Sequence, residues 1–220
     1  MKSALHMMAT LLAVGLLAGG SLSLVNGWAQ PFIEQHDYRV KMAGVMEVVP
    51  GGVTSRPLAE VAPVAGAQAT GDALEAYQVL DGAGAVKGWA VVREGTGFAD
   101  KIRLMVGLAP DLSSTLGLKV LKDAETPGLG TKIREGSFPD RFFGRGSAPP
   151  VFAADTLKVV KGPPGAADEV QAITGATISA KAVVRIINDG TSRLRARLAR
   201  QSTAGPATAP ASPRGEEDLR

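Results

Sequence analysis

Two short segments contain the residues whose types and spacing could do chemistry. The first is the tetrapeptide TGAT, Thr174–Thr177, between the apolar stretch 170–173 and a helical pattern that begins near Ser179. Glycine permits a tight turn, and a hydroxyl beside the start of a helix can cap its free N–H groups. The same N–H groups and the positive end of the helix dipole favour a bound phosphate. The segment therefore predicts either a structural cap or a phosphate site at which a threonine hydroxyl is itself esterified.

The second segment is ETPGLG, Glu125–Gly130. Pro127 fixes its own φ, and Gly128 and Gly130 admit backbone conformations that other residues resist, so the plain interpretation is a turn. The segment is not a dinucleotide fingerprint, because a third glycine does not follow in register and no strand–turn–helix unit surrounds it. In the functional interpretation, the bare backbone lets a flat ligand approach closely, while the first two residues supply polar groups.

The composition narrows the chemistry. Among 220 residues there is no cysteine, and the only histidines are His6 and His36. Disulfides, thiolate-held iron–sulfur clusters, zinc ribbons and a cysteine nucleophile are therefore excluded, and we predict neither a metal site nor a catalytic residue. Lys and Arg total 24 against 21 Asp and Glu, a net charge of +3, which is too balanced to indicate a nucleic-acid partner.

An apolar run, Met7–Val25, predicts a membrane anchor. No charged side chain occurs between Lys2 and Glu34. A bilayer core about 30 Å thick needs roughly 20 apolar residues in a helix, and the run has about that length. Lys2 gives a positive-inside bias, so we expect the remainder on the outer face of the membrane. The alternative is a cleaved signal peptide with its cleavage site at 27–29.

The pattern of the remaining chain predicts an α+β fold. Apolar stretches typical of strands occupy 77–80, 86–93, 102–108, 116–121 and 157–160. Helical patterns occupy 31–49, 133–143 and 179–200. We therefore expect four segments along the chain: an anchor over 1–30, a helical and irregular connector over 31–72, one domain over 73–200 and a disordered tail over 201–220.

The order of the motifs carries a family resemblance. ETPGLG followed by TGAT at a helix start, behind one N-terminal membrane span, resembles the G subunit of the Rnf-type ion-translocating electron transport complex. That family is related to the C subunit of the sodium-pumping NADH:quinone oxidoreductase, and the likeness extends to about Arg200. The resemblance implies that Thr177 carries FMN through a phosphoester bond. A separate flavin transferase that uses FAD and magnesium makes this bond. The family has an acidic residue three positions before its tetrapeptide, where this chain has Gln171.

The resemblance also implies a role. It implies an electron carrier without turnover of its own, in a bacterial inner-membrane complex that couples electron transfer between ferredoxin and NAD to sodium or proton movement. An organic cofactor suits a redox protein that lacks cysteine. The main domain is then periplasmic, and the partners are the other subunits, the flavin transferase and membrane lipid. The implied FMN-binding residues are Thr177, as the covalent site, and Thr174, Gly175, Ala176, Glu125, Thr126, Gly128, Leu129 and Gly130.

Two other functions remain open at this stage. A membrane-anchored, non-redox binding or assembly protein would keep the same fold and leave Thr177 unmodified. A secreted hydrolase would have to use a pair of carboxylates, because the residues for a Cys or Ser–His–Asp nucleophile are missing or confined to the N-terminal arm.

Overall fold

The computed structural model describes residues 2–58, 74–143 and 155–203. Its elements, in chain order, are α1 (Lys2–Val48), β1 (Thr54–Pro57), β2 (Glu75–Leu80), β3 (Val86–Thr96), β4 (Lys101–Leu108), β5 (Thr115–Asp123), α2 (Ser137–Asp140), β6 (Lys158–Val160), β7 (Glu169–Gln171) and α3 (Thr177–Thr203). Short 3-10 turns, Gly130–Arg134 and Arg141–Phe143, flank α2. The predicted α+β class with one N-terminal apolar helix is confirmed. The predicted tail lies outside the described residues from residue 204 onward.

Helix α1 runs unbroken from the apolar segment into the domain, with Pro31 inside it. The side chains of Met7–Val25 are exposed along the whole segment. An apolar surface of this extent is stable in a bilayer rather than in water. Among the described residues, α1 is the one helix that is long and apolar enough to cross a membrane. Beyond that segment, the rings of Trp28 and Phe32 lie 5.3 Å apart, a position where membrane proteins favour aromatic side chains.

Among the described residues, β1–β5 form an antiparallel sheet in chain order. The predicted strands between residues 77 and 121 correspond to β2–β5. No strand is predicted over 54–57, where the structure has β1. Three of the four residues of β1 are exposed, so the segment lacks the alternation that reveals a strand. It is an edge strand, where Pro57 does not interrupt the ladder.

One face of the sheet packs against α3. Val183, Ile187 and Leu194 project from α3 into a core with the β3 and β4 side chains Val91 and Leu104, and all five are fully buried. This apolar spacing is the pattern that predicted a helix over 179–200. The short parallel pair β6–β7 joins this layer, because the Asn188 amide of α3 exchanges hydrogen bonds with the backbone of Leu157.

The end of α1 packs against the opposite face. Val45, Val48 and Val49 are fully buried there among side chains of β2, β3 and β4. Gly107 and Gly117, paired across β4 and β5, admit this close approach. A Cβ at Gly107 would lie 2.6 Å from the carbonyl carbon of Val48, and one at Gly117 would lie 2.8 Å from the Cα of Val48. Any larger residue at these two positions would therefore push α1 off the sheet.

Charged groups also join α1 to the sheet. Glu75 accepts hydrogen bonds from Lys41 of α1 (2.6 Å), from the Tyr77 hydroxyl (2.6 Å) and from Arg103 (3.1 Å). Burial alone would raise the pKa of Glu75, but the hydrogen bonds from Lys41 and Tyr77 and the charge of Arg103 outweigh it and lower that pKa. Lys119 adds an ion pair with Glu47 at 2.5 Å. The end of α1 is thus held by both packing and charge.

The prediction of one helix over 133–143 was wrong in detail. The structure has α2, a single turn, between two 3-10 turns. Gly136 adopts φ +58 immediately before α2, and Pro139 provides no N–H, so a continuous helix cannot form.

Candidate functional site

The TGAT segment forms the turn between β7 and α3. Gly175 has φ +83, a conformation that favours glycine. The N–H of Ala176 donates to the carbonyl of Ile173 at 3.0 Å, and the N–H of Ala180 then donates to Ala176 at 2.9 Å. Helix α3 begins at Thr177, two residues before the predicted start. The turn therefore places Thr177 at the first helical position, where N–H groups have no acceptor within the helix.

Three hydroxyls surround the start of α3 in different environments. Thr174 is exposed, Thr177 is half-buried, and Ser179 is 2% exposed. Among the described residues, the hydroxyls of Thr174 and Thr177 have no hydrogen-bond partner. Neither threonine therefore acts as the side-chain cap that the plain interpretation of TGAT predicts. The Thr177 hydroxyl is accessible at the positive end of a 27-residue helix, where a phosphate is favoured.

The ETPGLG segment lies against this turn. A Cβ at Gly175 would be 3.1 Å from the Cδ2 of Leu129, so the two segments picked out in the sequence touch. Gly128 has φ +73 and open space around it, and its N–H donates to the Thr131 hydroxyl at 3.0 Å. The carbonyl of Thr126 accepts the N–H of Leu129 at 3.2 Å. The segment is thus an ordered turn that presents Leu129, 48% exposed, beside TGAT.

Glu125 lies in the interior, 4% exposed. Its carboxylate accepts hydrogen bonds from the Ser179 hydroxyl at 2.6 Å, from the N–H of Phe98 at 2.7 Å and from the N–H of Ala99 at 3.2 Å. Gly130 packs on it, since a Cβ there would lie 2.7 Å from the Cβ of Glu125. The side chain that the sequence analysis placed among the ligand-binding groups is therefore directed into the protein.

Three residues near this site are not among those predicted from the sequence. Phe98, in the turn between β3 and β4, is 63% exposed, and Ile178, next to Thr177, is 56% exposed. The backbone N–H of Phe98 donates to Glu125, and Ile178 follows Thr177 in the first turn of α3. The third is Ser179, which binds Glu125. The sequence contained a signal for Ser179. Residues two positions apart lie on nearly opposite sides of a helix, so an outward Thr177 at the helix start implies an inward Ser179.

Gln171 ends β7, three residues before TGAT. Its side-chain oxygen accepts a hydrogen bond from the guanidinium of Arg141 at 2.7 Å. The neutral amide of Gln171 thus provides an acceptor for Arg141. Among the described residues, no cluster of His, Asp or Glu side chains could hold a metal ion.

The chain is similar over most of its length to known proteins. Residues 97–192 match the FMN-binding domain family, and this range includes both motifs. The chain is 31% identical over 185 residues to the G subunit of the Na(+)-translocating ferredoxin:NAD(+) oxidoreductase complex of Acetobacterium woodii, covering 81% of this chain and 85% of that protein. This chain belongs to the family of G subunits of ion-translocating oxidoreductase complexes.

Another member and a solved structure are also similar. This chain is 30% identical over 186 residues to the G subunit of the ion-translocating oxidoreductase complex of Methanosarcina acetivorans, covering 83% of this chain and 90% of that protein. The crystal structure of the C subunit of Na(+)-translocating NADH-quinone reductase from Parabacteroides distasonis is 20% identical, with a TM-score of 0.48, over 59% of this chain and 64% of that chain. The family resemblance read from ETPGLG and TGAT is confirmed.

The residues at the start of α3 fit an FMN phosphate. The half-buried Thr177 hydroxyl and the N–H groups of the first helical turn form a polar position, and Gly175 leaves room where a side chain would meet Leu129 at 3.1 Å. Leu129, which contacts the TGAT turn at Gly175, and Ile178, the residue after Thr177, are both exposed and provide apolar side chains at this end of α3, as a flavin ring requires.

Proposed function

We propose that this G subunit is an electron-carrying flavoprotein in which FMN is bound to Thr177 through a phosphoester. The observation that carries the proposal is the Thr177 hydroxyl, half-buried at the first position of α3 and without a hydrogen-bond partner among the described residues. FMN, once attached, supplies the electron-carrying chemistry, and the protein supplies its position and electrostatic environment.

In the attachment reaction, the FMN half of FAD is transferred to Thr177 as a phosphoryl group. The Thr177 oxygen forms a bond to the phosphorus of the FMN half, the P–O bond to the AMP half breaks, and AMP leaves. The hydroxyl proton of Thr177 passes to solvent or to a base of the flavin transferase. The N-terminal end of α3 stabilises the phosphodiester charge that remains on the chain.

We assign the flavin environment to the residues of both motifs. Thr174, Gly175 and Ala176 form the turn that holds the phosphate end, and the turn built by Thr126, Gly128, Leu129 and Gly130 stands beside it. Glu125 joins these two segments through Ser179. The FMN-binding unit in this assignment covers residues 73–200.

We propose that this unit acts inside a membrane complex. The relative from Acetobacterium woodii is named as part of a Na(+)-translocating ferredoxin:NAD(+) oxidoreductase complex. By membership of the same family, this chain carries electrons between ferredoxin and NAD in a complex that moves sodium or protons. Its partners are the other subunits, the flavin transferase and lipid of the bacterial inner membrane. Lys2 before the apolar segment favours a periplasmic location of the domain.

Mass spectrometry of the full chain purified from membranes tests the covalent assignment. We expect the intact mass to exceed that of the sequence by one FMN phosphoester, and the modification to map to the peptide that contains Thr177. An unmodified Thr177 in cells that contain the flavin transferase would instead indicate the anchored, non-redox assembly protein. A flavin on a different residue would contradict the assignment of the site.

Substitution of Gly128 tests whether the ETPGLG turn serves the flavin. Gly128→Val should cost about 1–2 kcal/mol of folding free energy, because φ +73 is strained for a residue with a side chain. We expect Thr177 still to be flavinylated, while electron flux through the complex falls, since the new side chain projects into the open space beside the turn.

The matched control is Gly162→Val, a glycine that also has open space around it but no positive φ. It should leave both the unfolding free energy and the electron flux near wild type. If folded Gly128→Val and Glu125→Ala chains both keep the wild-type flavin spectrum, potential and flux, the turn is purely structural.

A further inference from the structure

We infer that Glu125 is the positioning residue of this site: its carboxylate holds the first turn of α3 in the rotation that directs Thr177 outward and keeps Ser179 from being modified in its place. The inference rests on the proposed function of Thr177 and adds to it the residue that selects which hydroxyl receives the flavin.

The contacts of Glu125 join three separate parts of the chain. One carboxylate oxygen binds the Ser179 hydroxyl of α3 at 2.6 Å. The other binds the N–H groups of Phe98 and Ala99, in the β3–β4 turn, at 2.7 and 3.2 Å. Glu125 itself belongs to the ETPGLG turn. Hydrogen bonds to a carboxylate are stronger than those between neutral groups, and at 4% exposure water does not compete for them.

The contact between Glu125 and Ser179 also fixes the direction of the Thr177 side chain, because both residues belong to the first turn of one helix. Successive residues turn by about 100°, so residues two positions apart lie about 200° apart around the axis. With Ser179 held inward on Glu125, Thr177 points to the opposite side, away from the core. This matches the exposure of the two residues, 2% for Ser179 against a half-buried Thr177. Loss of the contact would let the first turn rotate or fray.

The same contact distinguishes the two hydroxyls chemically. Ser179 donates its proton to Glu125 and is inaccessible, so its oxygen cannot reach an enzyme-bound FAD. The negative charge of Glu125, in contact with Ser179, repels a phosphate most strongly from the inner side of the helix N-terminus. A phosphate therefore meets the helix dipole on the side of Thr177 and not on the side of Ser179.

Three variants of the full chain, purified without flavin, test the inference. The rate of flavinylation is measured with FAD, magnesium and the flavin transferase, and thermal unfolding is recorded for each unmodified chain. We expect Glu125→Ala to lower the rate about tenfold, the scale on which loss of one charge-assisted hydrogen bond acts. Ser179→Ala removes the same contact with α3 and should lower the rate to a similar extent, although Glu125 keeps its bonds to Phe98 and Ala99.

Glu125→Gln should restore most of the rate. Its amide oxygen can accept from Phe98 and Ala99, and its amide nitrogen can donate to the Ser179 oxygen. If Glu125→Gln recovers the flavinylation rate, Glu125 acts by orienting α3 and not through its charge. If Glu125→Gln is as slow as Glu125→Ala, the orienting role of Glu125 is wrong.

Glu75→Ala is the matched control, because Glu75 also accepts from three donors but lies on the α1 side of the sheet. We expect it to lower the unfolding temperature without slowing flavinylation of the folded chain. Equal rates for wild type and Glu125→Ala, or equal slowing by Glu75→Ala, would overturn the inference. A wild-type chain that accepts no flavin would instead overturn the function proposed for Thr177, on which the inference depends.

Discussion

Thr177→Val is expected to remove all covalent flavin from a chain that still folds. Valine has nearly the shape of threonine but no hydroxyl, so the oxygen that would bond to phosphorus is absent. Because Thr177 has no hydrogen-bond partner among the described residues, its loss should cost less than about 1 kcal/mol of folding free energy. The measurement is flavin fluorescence in a denaturing gel, which detects only covalently attached flavin.

Thr174→Val is the control for this experiment. Thr174 is exposed in the same turn, and its hydroxyl also has no hydrogen-bond partner among the described residues. The variant should keep most of the fluorescence, since Thr174 does not occupy the first position of α3. Full fluorescence in Thr177→Val would show that the flavin is attached elsewhere.

Gly107→Ala is expected to destabilise the protein by about 3 kcal/mol. The added Cβ would lie 2.6 Å from the carbonyl carbon of Val48 and 3.2 Å from its Cβ. The backbone of α1 can yield only if its last turn leaves the sheet, which would expose Val45 and Val49. Chemical denaturation of the detergent-solubilised chain measures the loss, and faster proteolysis after Lys41 reports release of α1.

Gly82→Ala is the matched control, because nothing lies within 4 Å of a Cβ at that position. Its unfolding free energy should stay within about 0.5 kcal/mol of wild type. If Gly107→Ala and Gly82→Ala unfold at the same denaturant concentration, the contact between Val48 and β4 does not hold α1 in place.

Local patterns predicted the parts of this fold that depend on nearby residues. The strands β2–β5 follow apolar stretches bounded by turns, and α3 follows the spacing of Val183, Ile187 and Leu194. The position of Thr177 at a helix start was also predictable, because a glycine turn precedes a helical pattern there. These features are determined by residues that lie close together in the sequence.

Features that depend on distant residues were not predictable. The inward direction of Glu125 depends on Ser179 and Phe98, which are separated from it by 54 and 27 positions. The local strand sequence does not show why Gly107 and Gly117 are glycine; the reason is the packing of Val48 over them. The strand β1 is visible only through its pairing with β2. In each case the information lies in the pairing of segments, which one sequence does not contain.

The unbroken course of α1 sets the height of the flavin domain. With Met7–Val25 in a bilayer, the helix continues from Val25 to Met42 before it meets the sheet, and 17 residues at 1.5 Å each span about 25 Å. Because the last turns of α1 pack on the sheet, a rotation of the helix about its own axis turns the domain with it. Such a rotation changes the direction in which Thr177 faces but not its distance from the membrane segment along the helix axis. The length of α1 therefore sets that distance, and the rotation of α1 about its axis sets the direction in which the flavin faces the neighbouring subunits.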